Sequence, residues 1–327
     1  MKLRKIFASF VFLLPLNMLM AGLGITPITA EDAAEKPIIV CTTSAIGSLV
    51  EEFVGDEVEV VVLVRPGLCP ADFDMKPSDV YAVSKAKFLF YQAIPGEFWL
   101  QGLVDVAGNE NLTMIKVPGV YNTPEGAKGY ISLLGGNLSK AFPHMNLEAK
   151  MSAMLDDVDK VADEIASEAQ TLEVGKANVI CMMWQRVFVE WVGFNVVADY
   201  RPPETLSAAE ITSLVETARR EEAALIIDNL QISTEFGGGI ASEVGAVHLI
   251  LTNFPGAIPE TGNLTQMFRY NADQLFEGVT RWRNTRELRA EMEGLKNQIA
   301  IFQAATSVAV ILAIAEAIGL YMGRKRR

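Results

Sequence analysis

Apolar residues fall into two patterns along this chain, long runs at both ends and short runs between them. The short runs occupy residues 37–41, 58–64, 88–91 and 114–117, then 178–181, 196–199, 224–228 and 247–251. Each has the length of a strand and stops at polar residues or a turn signal. Thr42-Thr43-Ser44 after the first run and Pro77-Ser78-Asp79 after the second are helix-start signals. Strands alternating with helices predict βα units and parallel sheets, hence an α/β fold. Because the rhythm occurs twice, it predicts two lobes of parallel sheet with flanking helices, over residues 37–146 and 177–280. Residues 147–172 contain no Gly or Pro and are rich in Ala, Glu and Asp, which predicts one long spine helix joining the lobes.

The terminal runs have a different meaning. Lys2, Arg4 and Lys5 precede an apolar stretch that ends in Ile28-Thr29-Ala30, with Glu31 and Asp32 immediately after. That order predicts a signal peptide for export over residues 1–30. At the other end, residues 299–322 carry a single charge, Glu316. About 24 residues rising roughly 1.5 Å each reach about 36 Å, enough to cross a bilayer core of about 30 Å as a transmembrane helix. Arg324, Lys325, Arg326 and Arg327 follow, so residues 323–327 are expected to be a cytoplasmic basic tail. The expected location is the extracellular face of the cell membrane, with single-pass anchoring by the C-terminal helix. Before the span, residues 281–298 read as a helical stalk. Leu288, Met292, Leu295, Ile299 and Phe302 recur at alternating four- and three-residue steps, a short heptad stripe suited to weak self-association.

Composition sharpens this topology. The 327 residues include 28 basic and 40 acidic side chains, a net charge of −12, and half are hydrophobic. Setting aside three basic residues at the start, four at the end and Glu316 leaves an ectodomain of 21 basic and 39 acidic residues, a net of −18. So apolar a chain is not disordered, and so acidic an ectodomain does not bind nucleic acid. An enzyme is not expected either. No Ser-His-Asp arrangement is visible, only two histidines are present, and Gly237-Gly238-Gly239 lacks the Lys-Ser/Thr of a phosphate loop.

In open α/β sheets ligands bind beyond the carboxyl ends of the strands. Cys41, then Thr42, Thr43 and Ser44, end the first strand, and Cys69 follows the second. Cys181 ends the first strand of the second lobe and leads into Met182, Met183 and Trp184, while Asn253 follows its last strand. His144 stands in Pro143-His144 just before the spine helix, and His248 lies inside an apolar strand as a core residue.

These residues resemble a known family. Thr42-Thr43-Ser44, the run from Val64-Arg65-Pro66-Gly67-Leu68-Cys69-Pro70-Ala71-Asp72-Phe73-Asp74, Pro143-His144 and Met267-Phe268-Arg269-Tyr270-Asn271 are similar to motifs of the solute-binding proteins of metal ABC transporters, the zinc/manganese ZnuA/TroA-like family. The resemblance covers about residues 37–280. It implies the two-lobe, spine-helix architecture, an interlobe cleft that binds a metal ion or metal-containing ligand, and an ABC permease in the same membrane as partner. The family's four metal ligands do not all carry over. The histidine expected after the Asp-Pro pair is Ala71 after Cys69-Pro70, with Asp72 beside it. The Pro-His pair is kept at His144, the next ligand aligns with Met182, and the closing carboxylate is Asn253. Two readings stay open. In one, His144, Cys69, Cys181 and Met182 form a re-specified soft site for a transition metal, copper or zinc rather than the usual zinc or manganese. In the other, Cys41 and Cys69 pair as a disulfide, Cys181 and Met182 pack in the core, and the chain is a surface interaction or adhesion protein that keeps the fold with its ligand lost or changed. Trp184, with Tyr91 and Tyr200, suits a pocket for an organic solute.

Overall fold

The structure, a computed structural model, describes residues 36–325. The export signal expected over residues 1–30 lies outside them, as do Arg326 and Arg327 of the tail. All eight short runs form strands. β1 (Ile38–Cys41), β2 (Glu59–Val62), β3 (Ala86–Tyr91) and β4 (Thr113–Lys116) make one sheet in the order β2-β1-β3-β4. β5 (Asn178–Met182), β6 (Asn195–Tyr200), β7 (Leu225–Asn229) and β8 (Val247–Leu251) repeat that order as β6-β5-β7-β8. Every neighbouring pair is parallel. The α/β fold of two parallel-sheet lobes expected from the rhythm is present.

Parallel neighbours cannot be joined by tight hairpins, so helices carry the chain back across each sheet. In the first lobe these include α1 (Ser44–Val54), α2 (Pro77–Lys85), α3 (Leu100–Ala107) and α4 (Pro124–Ala141). Both faces of the sheet are therefore covered, and alternate strand residues enter different cores. Ile38 and Val40 pack with Ala82, Val83, Leu100 and Leu103 of α2 and α3, whereas Ile39 and Cys41 join Phe53 of α1 and Leu134 of α4.

Between the lobes runs α5 (Glu148–Thr171), whose buried Met154, Val158, Ile165 and Ala169 form a single stripe. Those residues share one core with Ile39 of the first sheet and Val179 and Cys181 of the second, which is how the spine helix ties the lobes together. The second lobe adds α6 (Arg186–Val192), α7 (Ala208–Arg220) and α8 (Phe236–Val244). On the outer face of its sheet, Ile180 and Met182 pack with Tyr200, Leu214 and Ile240.

The last helix, α9 (Leu264–Lys325), has 62 residues and would extend about 93 Å at roughly 1.5 Å per residue. Its first turns bury Leu264, Met267, Phe268, Leu275 and Val279. At Gly278 it approaches β8 so closely that a Cβ would stand 2.7 Å from Leu249 Cδ1. From Leu288 onward the apolar residues face outward, including the stripe of Leu288, Met292, Leu295, Ile299 and Phe302. This helix is long and apolar enough to cross a membrane; its most apolar stretch has a mean hydropathy of 2.0 and none of it is buried.

Candidate interlobe site

Six loops meet between the lobes, each following the carboxyl end of a strand, and they enclose a cavity of about 500 Å³. The loops after β2, β3 and β4 supply one wall, and those after β5, β7 and β8 supply the other. On the first wall, the turn Pro70–Asp72 packs against the turn Pro95–Glu97. Gly96 permits that contact, since a Cβ there would stand 3.1 Å from the Ala71 backbone nitrogen. Trp99 Nε1 locks the pair by donating to the Pro70 carbonyl at 2.8 Å.

The loop after β3 is held from beneath by a buried carboxylate. Glu97 is 6% exposed and accepts from the backbone N–H groups of Gln92 (3.3 Å), Ala93 (2.6 Å) and Ile94 (3.3 Å). That cradle lets Ala93 sit in the left-handed region, at a φ of 58°. The loop after β4 turns at Gly119, also with positive φ, and enters α4 through Thr123, whose hydroxyl accepts from Gly126 N–H at 3.2 Å. A side chain at position 126 would overlap the Val120 carbonyl, so glycine there lets the loop fold back over the helix start.

Four hydrogen bonds cross from lobe to lobe. Tyr121 OH donates to the Asn253 carbonyl at 2.8 Å, and Asn122 Nδ2 to the Trp184 carbonyl at 3.4 Å. Ser44 Oγ donates to the Pro255 carbonyl at 2.7 Å, and Gln231 Nε2 to the Pro66 carbonyl at 2.9 Å. Tyr121 also stacks on Phe254, with ring centroids 6.3 Å apart and planes at 15°.

The electrostatics of the cavity differ from those of the chain around it. Its lining includes five amide side chains, Gln92, Asn122, Asn229, Gln231 and Asn253, and no Asp, Glu, Lys, Arg or His. Its two weakly acidic groups stay neutral, because burial raises the pKa of both the Cys69 thiol and the Tyr121 hydroxyl. Two polar atoms on the second wall, Asn229 Nδ2 and Asn253 Oδ1, are buried without a hydrogen-bond partner. Gln231 anchors both residues. Asn229 Oδ1 accepts from Gln231 N–H at 3.0 Å, and Asn253 N–H donates to Gln231 Oε1 at 3.1 Å. Chemically, the arrangement can enclose and hydrogen-bond a solute. Cys69 has no imidazole or carboxylate beside it in the lining to take its proton, so the cavity holds no nucleophile–base pair.

The structure separates the four residues expected to share a metal. Cys69 lines the cavity, as do Ala71, Trp184 and Asn253. His144 does not. It is exposed at the junction of α4 and α5, with Nε2 3.6 Å from Glu57 Oε2. The helix start that faces the cavity is that of α4, at Asn122, and the 18 residues of α4, about 27 Å at roughly 1.5 Å each, separate it from His144. Cys181 and Met182 are consecutive in β5 and so point to opposite faces of the sheet, each into a packed core. Met183, one residue later, lines the cavity instead. All three cysteines are free, with Cys41 and Cys181 fully buried and their thiols held neutral by burial, so no Cys41–Cys69 disulfide forms. Thr42, Thr43 and Ser44 are buried behind the cavity, where Thr43 Oγ1 donates to Gln92 Oε1 at 2.9 Å. Asp72 is exposed and outside the lining. Among the described residues no group of three or more His, Cys, Asp or Glu side chains is placed to hold a metal ion.

Tyr121, Asn122, Asn229 and Gln231 were not singled out from the sequence. The available signal was positional: Pro118-Gly119 closes the fourth apolar run, and Asn229 directly follows the run at residues 224–228. The other histidine, His248, is half-buried with Nε2 2.9 Å from Asp228 Oδ2, within a network that includes Tyr200 and Gly237 N–H.

Comparison with known proteins agrees with this architecture. The sequence model of a family described as zinc-uptake complex component A, periplasmic (ZnuA), matches residues 39–278. A manganese-binding lipoprotein, MntA, of Halalkalibacterium halodurans is 21% identical over 302 residues, covering 85% of this chain and all of that one. Among solved structures, a crystal structure of ZnuA superposes with a TM-score of 0.62 at 20% identity, covering 74% of this chain and 100% of its own. The Mn-bound periplasmic metal-binding protein of Candidatus Liberibacter asiaticus superposes with a TM-score of 0.64 at 14% identity, covering 75% and 100%. At these identities the structural likeness speaks for the fold.

Proposed function

The chain belongs to the family of periplasmic zinc-uptake component A proteins, and from that premise we propose that it is the membrane-tethered solute-binding protein of an ABC-type uptake system. The observation that carries this reading is the cavity at the strand ends of both lobes, closed over by four hydrogen bonds that join one lobe to the other. Two lobes that share a ligand site can open and close on a solute and present it to a permease in the same membrane. The tether is α9: an exported segment of residues 37–280 on the extracellular face, the stalk at 281–298, the span at 299–322, and a basic cytoplasmic tail. Its exposed apolar length supports this, and a relative named as a lipoprotein fits attachment of the lobes to a membrane.

The cargo is where this chain departs from its family. Zinc, manganese and copper are held by thiolate, imidazole, thioether or carboxylate donors in sets of three or more. The lining offers one neutral thiol, the Met183 thioether and amides, so a bare metal ion does not fit the cavity as these residues build it. That favours a changed ligand in the kept fold, one part of the second reading from the sequence, while the Cys41–Cys69 disulfide of that reading does not form.

Topology tests the tether. In intact cells expressing the full chain with a C-terminal epitope, external protease should remove the lobes and leave a small protected fragment that carries the epitope. A chain ending at residue 298 should be released from the membrane. An epitope cleaved from outside, or a truncated chain that stays membrane-bound, would overturn the single-pass arrangement.

A further inference from the structure

We infer that the interlobe cavity binds an uncharged, ring-bearing organic solute that presents a carboxamide-type edge, a carbonyl beside an N–H. This rests on reading the cavity as the solute site, and it names the class of solute. Three observations converge on it. First, the lining carries no ionisable acid or base that could neutralise a charged ligand, and burying an uncompensated charge among amides and apolar side chains is strongly unfavourable. Second, the lining carries five side-chain amides, Gln92, Asn122, Asn229, Gln231 and Asn253, each with a donor and an acceptor group. A carboxamide, lactam or imide offers the complementary acceptor and donor on one edge. A carboxylate offers acceptors only, and an ammonium donors only.

Third, the remaining walls are apolar and partly open to the ligand. The indole of Trp184 is 43% exposed, and Ile94, Val187, Ile232 and Phe254 complete a surface on which a ring can pack. At about 500 Å³ the cavity is of the size that holds a small organic metabolite rather than an ion. The family match raises the expectation of a divalent cation, and the donor set of this chain contradicts it.

The test is isothermal titration of the full chain in lipid nanodiscs, with empty nanodiscs subtracted. The probes are benzamide, nicotinamide and indole-3-acetamide, each paired with its carboxylate, alongside zinc and manganese chlorides. At least one amide is expected to bind saturably and about tenfold or more tighter than its acid, the penalty for a mismatched buried edge. Asn253→Asp replaces a half-buried lining amide by a carboxylate, which loses its donor and adds a charge, so it should lower amide affinity about tenfold. Trp184→Ala, at an exposed position where folding is not at issue, should weaken binding by a similar factor through lost ring packing. Carboxylates that bind as well as amides, or amide binding untouched by both substitutions, would overturn the inference. Stoichiometric zinc or manganese without amide binding would also overturn it while leaving the solute-receptor reading intact. Binding of neither class would sink both.

Discussion

The Glu97 carboxylate offers a sharp test of how the cavity is built. It is buried beneath the loop after β3 and holds three successive N–H groups, one of them at 2.6 Å and two at 3.3 Å. Hydrogen bonds to a charged group contribute about 1.5–3 kcal/mol each, with the upper end reserved for short ones. Only the Ala93 bond is short, so Glu97→Ala should cost about 3 kcal/mol rather than three full bonds, part of it from leaving the left-handed Ala93 unsupported. For domains of this size, about 1 kcal/mol moves the melting temperature by roughly 2–4 °C, so the expected drop is about 6–12 °C. Glu97→Gln retains one acceptor but turns a donor toward the loop, and should fall between the two. The assay is thermal unfolding of the full chain in nanodiscs followed by tryptophan fluorescence. Trp99 stands beside the affected turn, with its ring 4.0 Å from that of Phe73, and reports on it directly. A melting temperature for Glu97→Ala within about 1 °C of the parent would refute the view that this carboxylate holds the cavity wall.

Two further outcomes follow from the structure. Glu210 caps α7: the Ser207 backbone N–H, then the Ser207 hydroxyl and Arg201, lower its pKa to about 2. A depressed folded-state pKa adds stability that is present above the unfolded value, about 4.3, and is lost as pH falls toward the folded one. Acid unfolding between about pH 5 and 2 should therefore be less pH-dependent in Glu210→Gln than in the parent, as read by circular dichroism; identical profiles would contradict the assignment. The second outcome concerns metal. Combining Ala71→His, Asn122→His and Asn253→Asp places two imidazoles and a carboxylate on the cavity wall, and should create zinc binding detectable by calorimetry that the parent lacks. Equal zinc uptake by parent and variant would show that the parent holds metal by donors other than those lining the cavity.

Much of the fold is legible in the sequence because it rests on local periodicity. Short apolar runs bounded by turns make strands, and the doubled rhythm makes two like sheets, whose shared strand order is seen only in the structure. The stalk and span of the terminal helix follow from a stretch without proline, whereas its continuity back to Leu264 inside the second lobe is visible only in the structure. The candidate site was legible only in outline. That ligand chemistry lies at strand ends is a property of the topology, and Ala71, Cys69, Trp184 and Asn253 stand there. Which neighbour on a strand faces the cavity is decided by a single-residue register, so Met182 enters the core while Met183 reaches the cavity.

His144 shows the same limit at longer range. Its Pro-His pair sits at a helix start, but α4 carries that position far from the cleft, and Asn122 occupies the helix start that faces it. The sequence by itself determined the lobes, the spine and the terminal apolar helix, because period is a local quantity, whereas the replacement of the usual metal ligands was implied only by the family resemblance. The tertiary structure alone decided which residues meet. Six loops from distant parts of the chain converge on one cavity, and only their packing shows that it is neutral and amide-lined.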